Sequence, residues 1–382
     1  MSDSNRFTIE IPSARIDRIL ERIRDYEWPR EPADAGWSHG VPPGVIRALA
    51  DRWLNGFDWR QQERRMNRFE HYKASLNGLE LHFVHRRAGG SQPARAPLVL
   101  LHGWPTSFIE YLDIADRLAG AATGSGRDVV IVSLPGFGFS SAPSSFMGPR
   151  AIAGLVHLLM TRTLGCSRYI AHGSDWGAIV AGWLGFDQPQ ACAGIHMTMI
   201  SPRFIAGAAS EPAELQWLGG FRDRFEDDGA YFRLQTSRPL TFGYALNDTP
   251  VGLLGWIAEK WVAWSDPASR DRIEPFAEPA QADRLLTNVM LYLVTGTAAT
   301  SGWIYRGLAQ EGAPGYPGGG RVEVPVGFAA TRDPIFVPPP RSLVEKAYRI
   351  VRWTEYAKGG HFPALDSPDE LCADLEAFVS SL

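Results

Sequence analysis

The segment RYIAHGSDWGAIVAGWLGF holds an aspartate, Asp175, with small residues at fixed distances on both sides. Gly173 stands two positions before it, and Gly177 and Ala178 stand two and three positions after it. A tight strand-to-helix turn that presents a nucleophile needs such neighbours, because the strand and helix backbones approach closely there. Asp175 is therefore a candidate nucleophile, although aspartate is also a common helix cap at such a place.

A serine nucleophile in the same segment is disfavoured on steric grounds. With Ser174 as the reactive residue, His172 and Trp176 would occupy positions that require small side chains. The motif therefore favours a carboxylate nucleophile, which would form an ester with its substrate.

A histidine and an acid follow in a suggestive order. His361 lies in the Gly-rich segment KGGHFPALDSP, and Asp333 lies in AATRDPIF, 28 residues before it. Nucleophile, acid and base occur in this chain order in the α/β-hydrolase fold. A structural histidine, and a turn begun by Asp333 before Pro334, are the alternatives. Glu345 is the second candidate for the acid.

Two backbone amides could stabilise an oxyanion on such an ester. An apolar run at 98–101 leads into HGWP, where the N–H of Trp104 is one candidate donor. The N–H of Trp176, directly after Asp175, is the other. An ordinary β-turn would also explain HGWP by itself.

Short apolar runs bounded by turn residues must position these groups. They lie at 98–101, 129–134, 169–172, 195–200, 324–329 and 350–353. Runs this short are typical of strands in a parallel sheet that is covered on both faces. The sequence therefore predicts an α/β protein with a doubly wound, mostly parallel sheet, which is the architecture of the α/β-hydrolase fold.

Changes of pattern along the chain divide it into four parts. Residues 1–90 are rich in Trp and Arg and predict an N-terminal helical extension that wraps the core, and the strand-like GLELHFVH lies near its end. Residues 91–201 form the first part of the core. Residues 202–309 contain helical segments such as VGLLGWIAEKWVAW and predict a lid, and residues 310–382 complete the core.

Composition excludes several classes of protein. The formal net charge is −4, so no field that would attract nucleic acid or an anionic membrane is expected. The three cysteines, Cys166, Cys192 and Cys372, are too few and too scattered for a disulfide framework. Neither a secretory signal nor a membrane-spanning run is found, and a cytoplasmic protein is expected.

Taken together, the motifs resemble the microsomal type of epoxide hydrolase, including its N-terminal domain. The resemblance runs from GWSHGVP and FDWRQQERR through HGWP and GSDWGA to LLTNVMLYLVTGT and GGHF. It implies that two lid tyrosines donate hydrogen bonds to the epoxide oxygen. The matching positions are Tyr231 in GAYFRLQTSRP and Tyr305 in GWIYRGL, whereas Tyr244 and Tyr292 are expected to pack in the core or the lid.

The sequence departs from the family pattern at three places. Ser174 and Thr106 stand where the family more often has glycine, or glycine or serine, and neither is expected to touch a reacting group. The acid is often glutamate in the family and lies at a slightly different place in its loop. This leaves the choice between Asp333 and Glu345 open.

The resemblance implies an epoxide hydrolase that yields a vicinal diol without a cofactor. Asp175 would open the ring and form an ester, and neutral His361, oriented by Asp333, would activate the water that hydrolyses it. A hydrolytic dehalogenase with the same three residues is the closest alternative, and a non-catalytic small-molecule receptor on this fold is another.

Substrate and assembly are less closely defined by the sequence. An apolar or aromatic epoxide is expected from the many aromatic residues of the predicted lid, although most of these side chains are expected to pack internally. They are Trp217, Phe221, Phe232, Phe242, Trp256, Trp261 and Trp264. The oligomeric state stays open, with a homodimer as one option, and so does the choice between detoxification and a biosynthetic role.

Overall fold

A mostly parallel sheet forms the centre of the computed structural model, which describes residues 4–32, 36–89, 95–120, 126–267 and 276–382. Its nine strands within those residues are β1 (Ser4–Phe7), β2 (His71–Leu76), β3 (Leu79–Arg86), β4 (Leu98–Leu101), β5 (Val129–Val132), β6 (Tyr169–Gly173), β7 (Cys192–Met197), β8 (Val322–Ala330) and β9 (Tyr348–Glu355). They are arranged in the order β1-β2-β3-β5-β4-β6-β7-β8-β9. The strands from β5 to β9 in this order are parallel, and β1, β2 and β3 are antiparallel.

Helices flank this sheet and connect its strands. They are α1 (Ser13–Arg24), α2 (Pro43–Asn55), α3 (Trp59–Met66), α4 (Leu112–Leu118), α5 (Pro149–Leu158), α6 (Asp175–Asp187), α7 (Pro202–Ile205), α8 (Pro212–Asp228), α9 (Ala230–Ser237), α10 (Pro239–Asp248), α11 (Pro250–Ala263), α12 (Pro279–Thr295), α13 (Trp303–Gln310), α14 (Arg341–Glu345), α15 (Pro363–Asp366) and α16 (Pro368–Ser380). Across the described ranges, no helix combines the length and apolarity that crossing a bilayer requires.

The predicted fold class is confirmed. All six apolar runs form strands, and β4 (LVLL) and β5 (VVIV) are buried along their whole length, as central strands covered on both faces must be. Helices α7 to α13 stand between β7 and β8, the place expected for the lid. The predicted boundary between residues 90 and 91 lies outside the described residues.

The N-terminal part is less purely helical than the sequence suggested. Strands β1 and β2, which were not predicted, extend the sheet on its antiparallel side. The hairpin between β2 and β3 turns at Asn77 and Gly78, whose φ angles of 50° and 80° are typical of a two-residue hairpin turn. Helices α1 and α2 pack against lid helices α11 and α12, so this part braces the lid.

The register of the strands places the segments that carry the candidate site residues side by side. β4 and β6 are parallel neighbours in which Leu101 pairs with Gly173, so their carboxyl ends meet. HGWP follows β4, and the turn with Asp175 follows β6. The segments after β8 and β9 carry Asp333 and His361. The four segments therefore converge at one edge of the sheet, where α/β proteins place their sites.

Candidate active site

Asp175 lies at a sharp turn between β6 and α6. Its φ of 46° falls in the left-handed region, which non-glycine residues seldom adopt, and it is the first residue of the helix. A Cβ at Gly177 would lie 1.8 Å from the Leu101 carbonyl oxygen, and one at Gly173 would lie 2.1 Å from the Gly177 backbone. Glycine is therefore required at both positions for the turn to close.

The HGWP segment approaches the Asp175 carboxylate from the neighbouring strand. The Trp104 N–H donates to Asp175 Oδ1 over 2.8 Å. A Cβ at Gly103 would lie 2.1 Å from the same oxygen, so only glycine allows this approach. Trp176 is the second residue of α6, where backbone N–H groups have no acceptor within the helix. Its amide is thus the candidate second donor.

His361 lies between two carboxylates. Its Nε2 is 3.2 Å from Asp175 Oδ2, and its Nδ1 is 2.6 Å from Asp333 Oδ2. The other oxygen of Asp333 accepts the N–H groups of Ile335 and Phe336 at 2.8 and 2.9 Å. These bonds fix the carboxylate in the orientation that meets the imidazole.

Glu345, the second candidate acid, lies elsewhere. It ends α14, its side chain is 42% exposed, and it pairs with Arg341 over 2.7 Å. The structure therefore brings Asp333, and not Glu345, to His361.

The charge state of His361 in the resting site depends on its two carboxylate neighbours. Burial disfavours the imidazolium, but Asp333 and Asp175 outweigh that effect and raise the His361 pKa to about 10. The ring therefore favours the protonated form at neutral pH in the resting site. Loss of the Asp175 contribution would favour the neutral ring.

Tyr231 on α9 and Tyr305 on α13 line a cavity of about 200 Å³ together with Asp175 and Trp176. The two phenol rings lie 6.0 Å apart between centroids, and the indole of Trp104 stacks on Tyr231 at 5.2 Å. Burial, and for Tyr231 next the charge of Asp175, raises the pKa of both phenols well above the ordinary value, so both stay protonated at neutral pH.

The two other tyrosines singled out in the sequence do not line this cavity. Tyr292 is buried and donates to the Thr106 carbonyl over 2.6 Å, in agreement with a packing role. Tyr244 is 78% exposed, so the expectation that it packs is wrong. It stands on the outer surface of α10, where its ring has few neighbours to pack against.

A buried glutamate behind the turn escaped the sequence analysis. Glu110 accepts hydrogen bonds from the Thr106 hydroxyl over 2.6 Å and from the Ser174 hydroxyl over 3.0 Å. It thereby joins the HGWP turn to the Asp175 turn through the two positions that depart from the family pattern. Burial raises the Glu110 pKa to about 7, although both hydroxyls oppose the shift. Nothing in the local sequence separates this glutamate from a surface one.

Comparison with known proteins supports the class that the fold and the site define, an α/β hydrolase. Residues 98–375 match the family described as "Alpha/beta hydrolase family", and residues 4–111 match "Epoxide hydrolase N terminus". The matched ranges together cover nearly the whole chain.

Individual relatives narrow the class further. A Stigmatella aurantiaca protein provisionally named an epoxide hydrolase is 34% identical, over 95% of this chain and 81% of its own length. Epoxide hydrolase 1 of Sus scrofa is 29% identical, over 98% of this chain and 88% of its own. The structure of an enantioselective mutant of Aspergillus niger epoxide hydrolase is 30% identical and superposes with a TM-score of 0.86, covering 100% of this chain and 97% of its own. The chain belongs to the epoxide hydrolase family of α/β hydrolases.

Proposed function

We propose that the protein converts an epoxide and water into a vicinal diol through an ester between the substrate and Asp175. The observation that carries this proposal is that one cavity is lined by two phenols and by a carboxylate, Asp175, whose other contact is an imidazole held between two carboxylates. Family membership favours the epoxide over the halide of a dehalogenase, and paired tyrosines suit an oxygen leaving group.

The first step is ring opening. Oδ1 of Asp175 is bound by the Trp104 amide, so Oδ2 is the oxygen that attacks an epoxide carbon. The C–O bond of the ring breaks, and Tyr231 and Tyr305 donate hydrogen bonds to the departing oxygen. One of them transfers its proton, which leaves an alcohol and a phenolate. The enzyme ester now has no charge at Asp175.

Loss of that charge changes the state of His361. The imidazolium had two carboxylate neighbours and keeps only Asp333, so its pKa falls from about 10 and its proton passes to solvent while the phenolate regains one. Neutral His361 then takes a proton from water, and the hydroxide attacks the ester carbon. The Trp104 and Trp176 amides stabilise the oxyanion on Oδ1. Expulsion of the diol restores the carboxylate and the imidazolium, so the protons balance over one cycle.

Apolar walls around the reacting groups favour an apolar or aromatic epoxide. The larger apolar side chains in contact with the cavity are Ile179, Met199, Phe221, Phe225, Phe232, Leu308 and Phe336. Of the seven lid aromatics considered in the sequence, only Phe221 and Phe232 belong to this set, and the other five do not line the cavity. A cavity of about 200 Å³ is small for a ligand site, which favours a compact substrate such as a styrene-type epoxide.

Three further expectations belong to this proposal. A cytoplasmic location is in keeping with three free cysteines among the described residues. Sedimentation would show whether the protein forms a homodimer. Detoxification and a biosynthetic role differ in the breadth of substrates, so a panel of styrene-type, aliphatic and polycyclic epoxides would distinguish them.

The proposed function is tested by arresting the reaction at the ester. His361→Gln keeps Asp175 and both tyrosines but lacks the base, so it should form the ester and accumulate it. Intact-mass measurement after mixing with a good epoxide should show the protein heavier by one substrate. A variant that stays unmodified while the wild-type enzyme produces diol would refute the ester route.

A further inference from the structure

A buried ammonium in the lid is not used by the reaction as described so far. Lys260 lies on α11 and is only 5% exposed. Its Nζ contacts Asp228 Oδ1 at 2.5 Å and Glu259 Oε2 at 2.8 Å. Burying an ammonium costs several kcal/mol unless it is paired, so this ion cluster requires a reason.

The cluster adjoins one of the two candidate proton donors. Lys260 Nζ stands over the Tyr231 ring, 5.1 Å from its centroid, and is 5.7 Å from the centroid of Trp264. The Trp264 indole N–H donates to the second oxygen of Asp228 over 2.6 Å, and its ring lies 5.1 Å from that of Tyr231. Lys260 and Trp264 thus contact the Tyr231 ring, and Asp228 holds both of them in place.

Electrostatics give this arrangement a consequence for ring opening. A phenol that donates to a developing alkoxide gains negative charge, part of which spreads into its ring. Asp228 and Glu259 oppose that change, and both contribute to raising the pKa of Tyr231 after burial and Asp175. An ammonium over the ring counters them, and its attraction grows as the ring becomes more negative. The contact is therefore stronger in the transition state than in the resting enzyme.

We propose that Lys260 is a positioning residue for ring opening: it offsets part of the negative charge of Asp228 and Glu259 beside Tyr231 and fixes the phenol that donates to the epoxide oxygen. This inference rests on the proposed function. Lys260 does not line the cavity, so it acts through Tyr231 and not on the substrate. Hydrolysis of the ester uses His361 and backbone amides, and it should therefore not depend on Lys260.

The experiment measures the single-turnover rate of ester formation, and separately the rate of ester hydrolysis. Lys260→Gln keeps a donor for Asp228 but loses the charge, and it should slow ester formation by about 3- to 30-fold, the range of a partly desolvated cation–π contact. Lys260→Arg should recover most of the rate. In a Tyr231→Phe background, Lys260→Gln should have almost no further effect, because the group through which it acts is absent.

Two other variants separate this role from a general effect on the lid. Lys346→Gln removes another lysine paired with a lid carboxylate, Glu214, at 2.7 Å, and neither residue lines the cavity. It should leave ester formation unchanged. Glu259→Gln removes a negative charge beside Tyr231, so it should maintain or raise the rate of ester formation. This variant tests the proposal even if Lys260→Gln fails to fold.

The outcomes are distinguishable. Any of three outcomes would overturn the role of Lys260. The effects of Lys260→Gln and Tyr231→Phe on ester formation could be additive, or Lys260→Gln could slow ester formation and ester hydrolysis equally. Glu259→Gln could also slow ester formation as much as Lys260→Gln does. If wild-type protein formed no ester at all, the proposed function itself would fail. If the wild type formed the ester but the effects of Lys260→Gln and Tyr231→Phe were additive, only the inference on Lys260 would fail.

Discussion

The two halves of the candidate site are held in different ways. On the sheet side, polar atoms bind one another directly: the His361 ring contacts Asp175 at 3.2 Å and Asp333 at 2.6 Å. On the lid side, the tyrosine rings are held by packing. Tyr305 lies 4.6 Å from the Trp176 ring, and Tyr231 lies 5.2 Å from that of Trp104.

The difference follows from what each half must do. In the proposed mechanism the sheet-side groups exchange protons and form a bond, so they must meet at hydrogen-bond distance in the resting enzyme. In the same mechanism the lid-side phenols act on an oxygen that arrives with the substrate, so their rings are fixed while they face the cavity. Changes on the sheet side should therefore affect either both chemical steps or ester hydrolysis alone, and changes on the lid side should affect only ring opening.

The most severe loss of activity should follow a change at Asp175, on the sheet side. Asp175→Ala removes the attacking group and should lower turnover by on the order of 10⁴-fold or more, with no covalent adduct. Ser174→Ala should still form the adduct, because its hydroxyl binds Glu110 and Tyr111 and not the substrate. Both are checked by diol assay and intact mass. Residual full activity in Asp175→Ala would end the nucleophile assignment.

The next effect distinguishes the two candidate acids. Asp333→Asn should lower turnover by about 10²- to 10⁴-fold, because the His361 ring loses its orienting carboxylate. The ester should accumulate, since hydrolysis is the step that needs the base. Glu345→Gln is the matched control and should behave like wild type, as this side chain pairs with Arg341. If steady-state turnover fell in Glu345→Gln and not in Asp333→Asn, Glu345 would be the acid that orients His361.

On the lid side the effect is smaller and confined to one step. Tyr231→Phe or Tyr305→Phe should each slow ester formation by ~10–1000-fold, and the double variant should nearly stop it. The rate of ester hydrolysis should not change, as no phenol takes part in it. Tyr244→Phe, on an exposed tyrosine, serves as the control. If hydrolysis slowed in parallel with ring opening, the division between the two halves would be wrong.

The smallest effect concerns the free energy of unfolding, and it tests the contribution of Glu110, which is buried behind the Asp175 turn. The Glu110 pKa is about 7 in the folded protein, compared with an ordinary value of 4.5. Between these pH values the folded state therefore binds more protons at Glu110 than the unfolded state does. Stability contributed by this group therefore falls by roughly 3–4 kcal/mol as pH rises from about 4.5 to 7, and it stays constant above pH 7. Glu110→Gln should flatten that part of the profile.

Urea unfolding at a series of pH values measures the Glu110 effect. Glu345→Gln is again the control, since that side chain is half-exposed. An unchanged slope between pH 4.5 and 7 in Glu110→Gln would mean that another group titrates there.

The same contrast explains how much could be predicted from the sequence. The sheet side leaves local signals, because a tight turn demands glycines around Asp175 and a strand ends in HGWP, and those segments do meet. The tyrosines were located only through resemblance to a family. Glu110 and Lys260 were missed, because their burial depends on contacts with segments that are distant along the chain, and a single glutamate or lysine on a helix carries no sign of them.

The source of the oxygen in the first diol distinguishes an ester on Asp175 from direct attack of water on the epoxide. One turnover with enzyme in excess, in water enriched in ¹⁸O, should give diol that carries no label, because its new oxygen comes from Asp175 Oδ2. The label should instead be found in the peptide that contains Asp175, by mass spectrometry after digestion. Labelled diol in that first turnover, together with unlabelled protein, would show that water attacks the epoxide directly and would contradict the account.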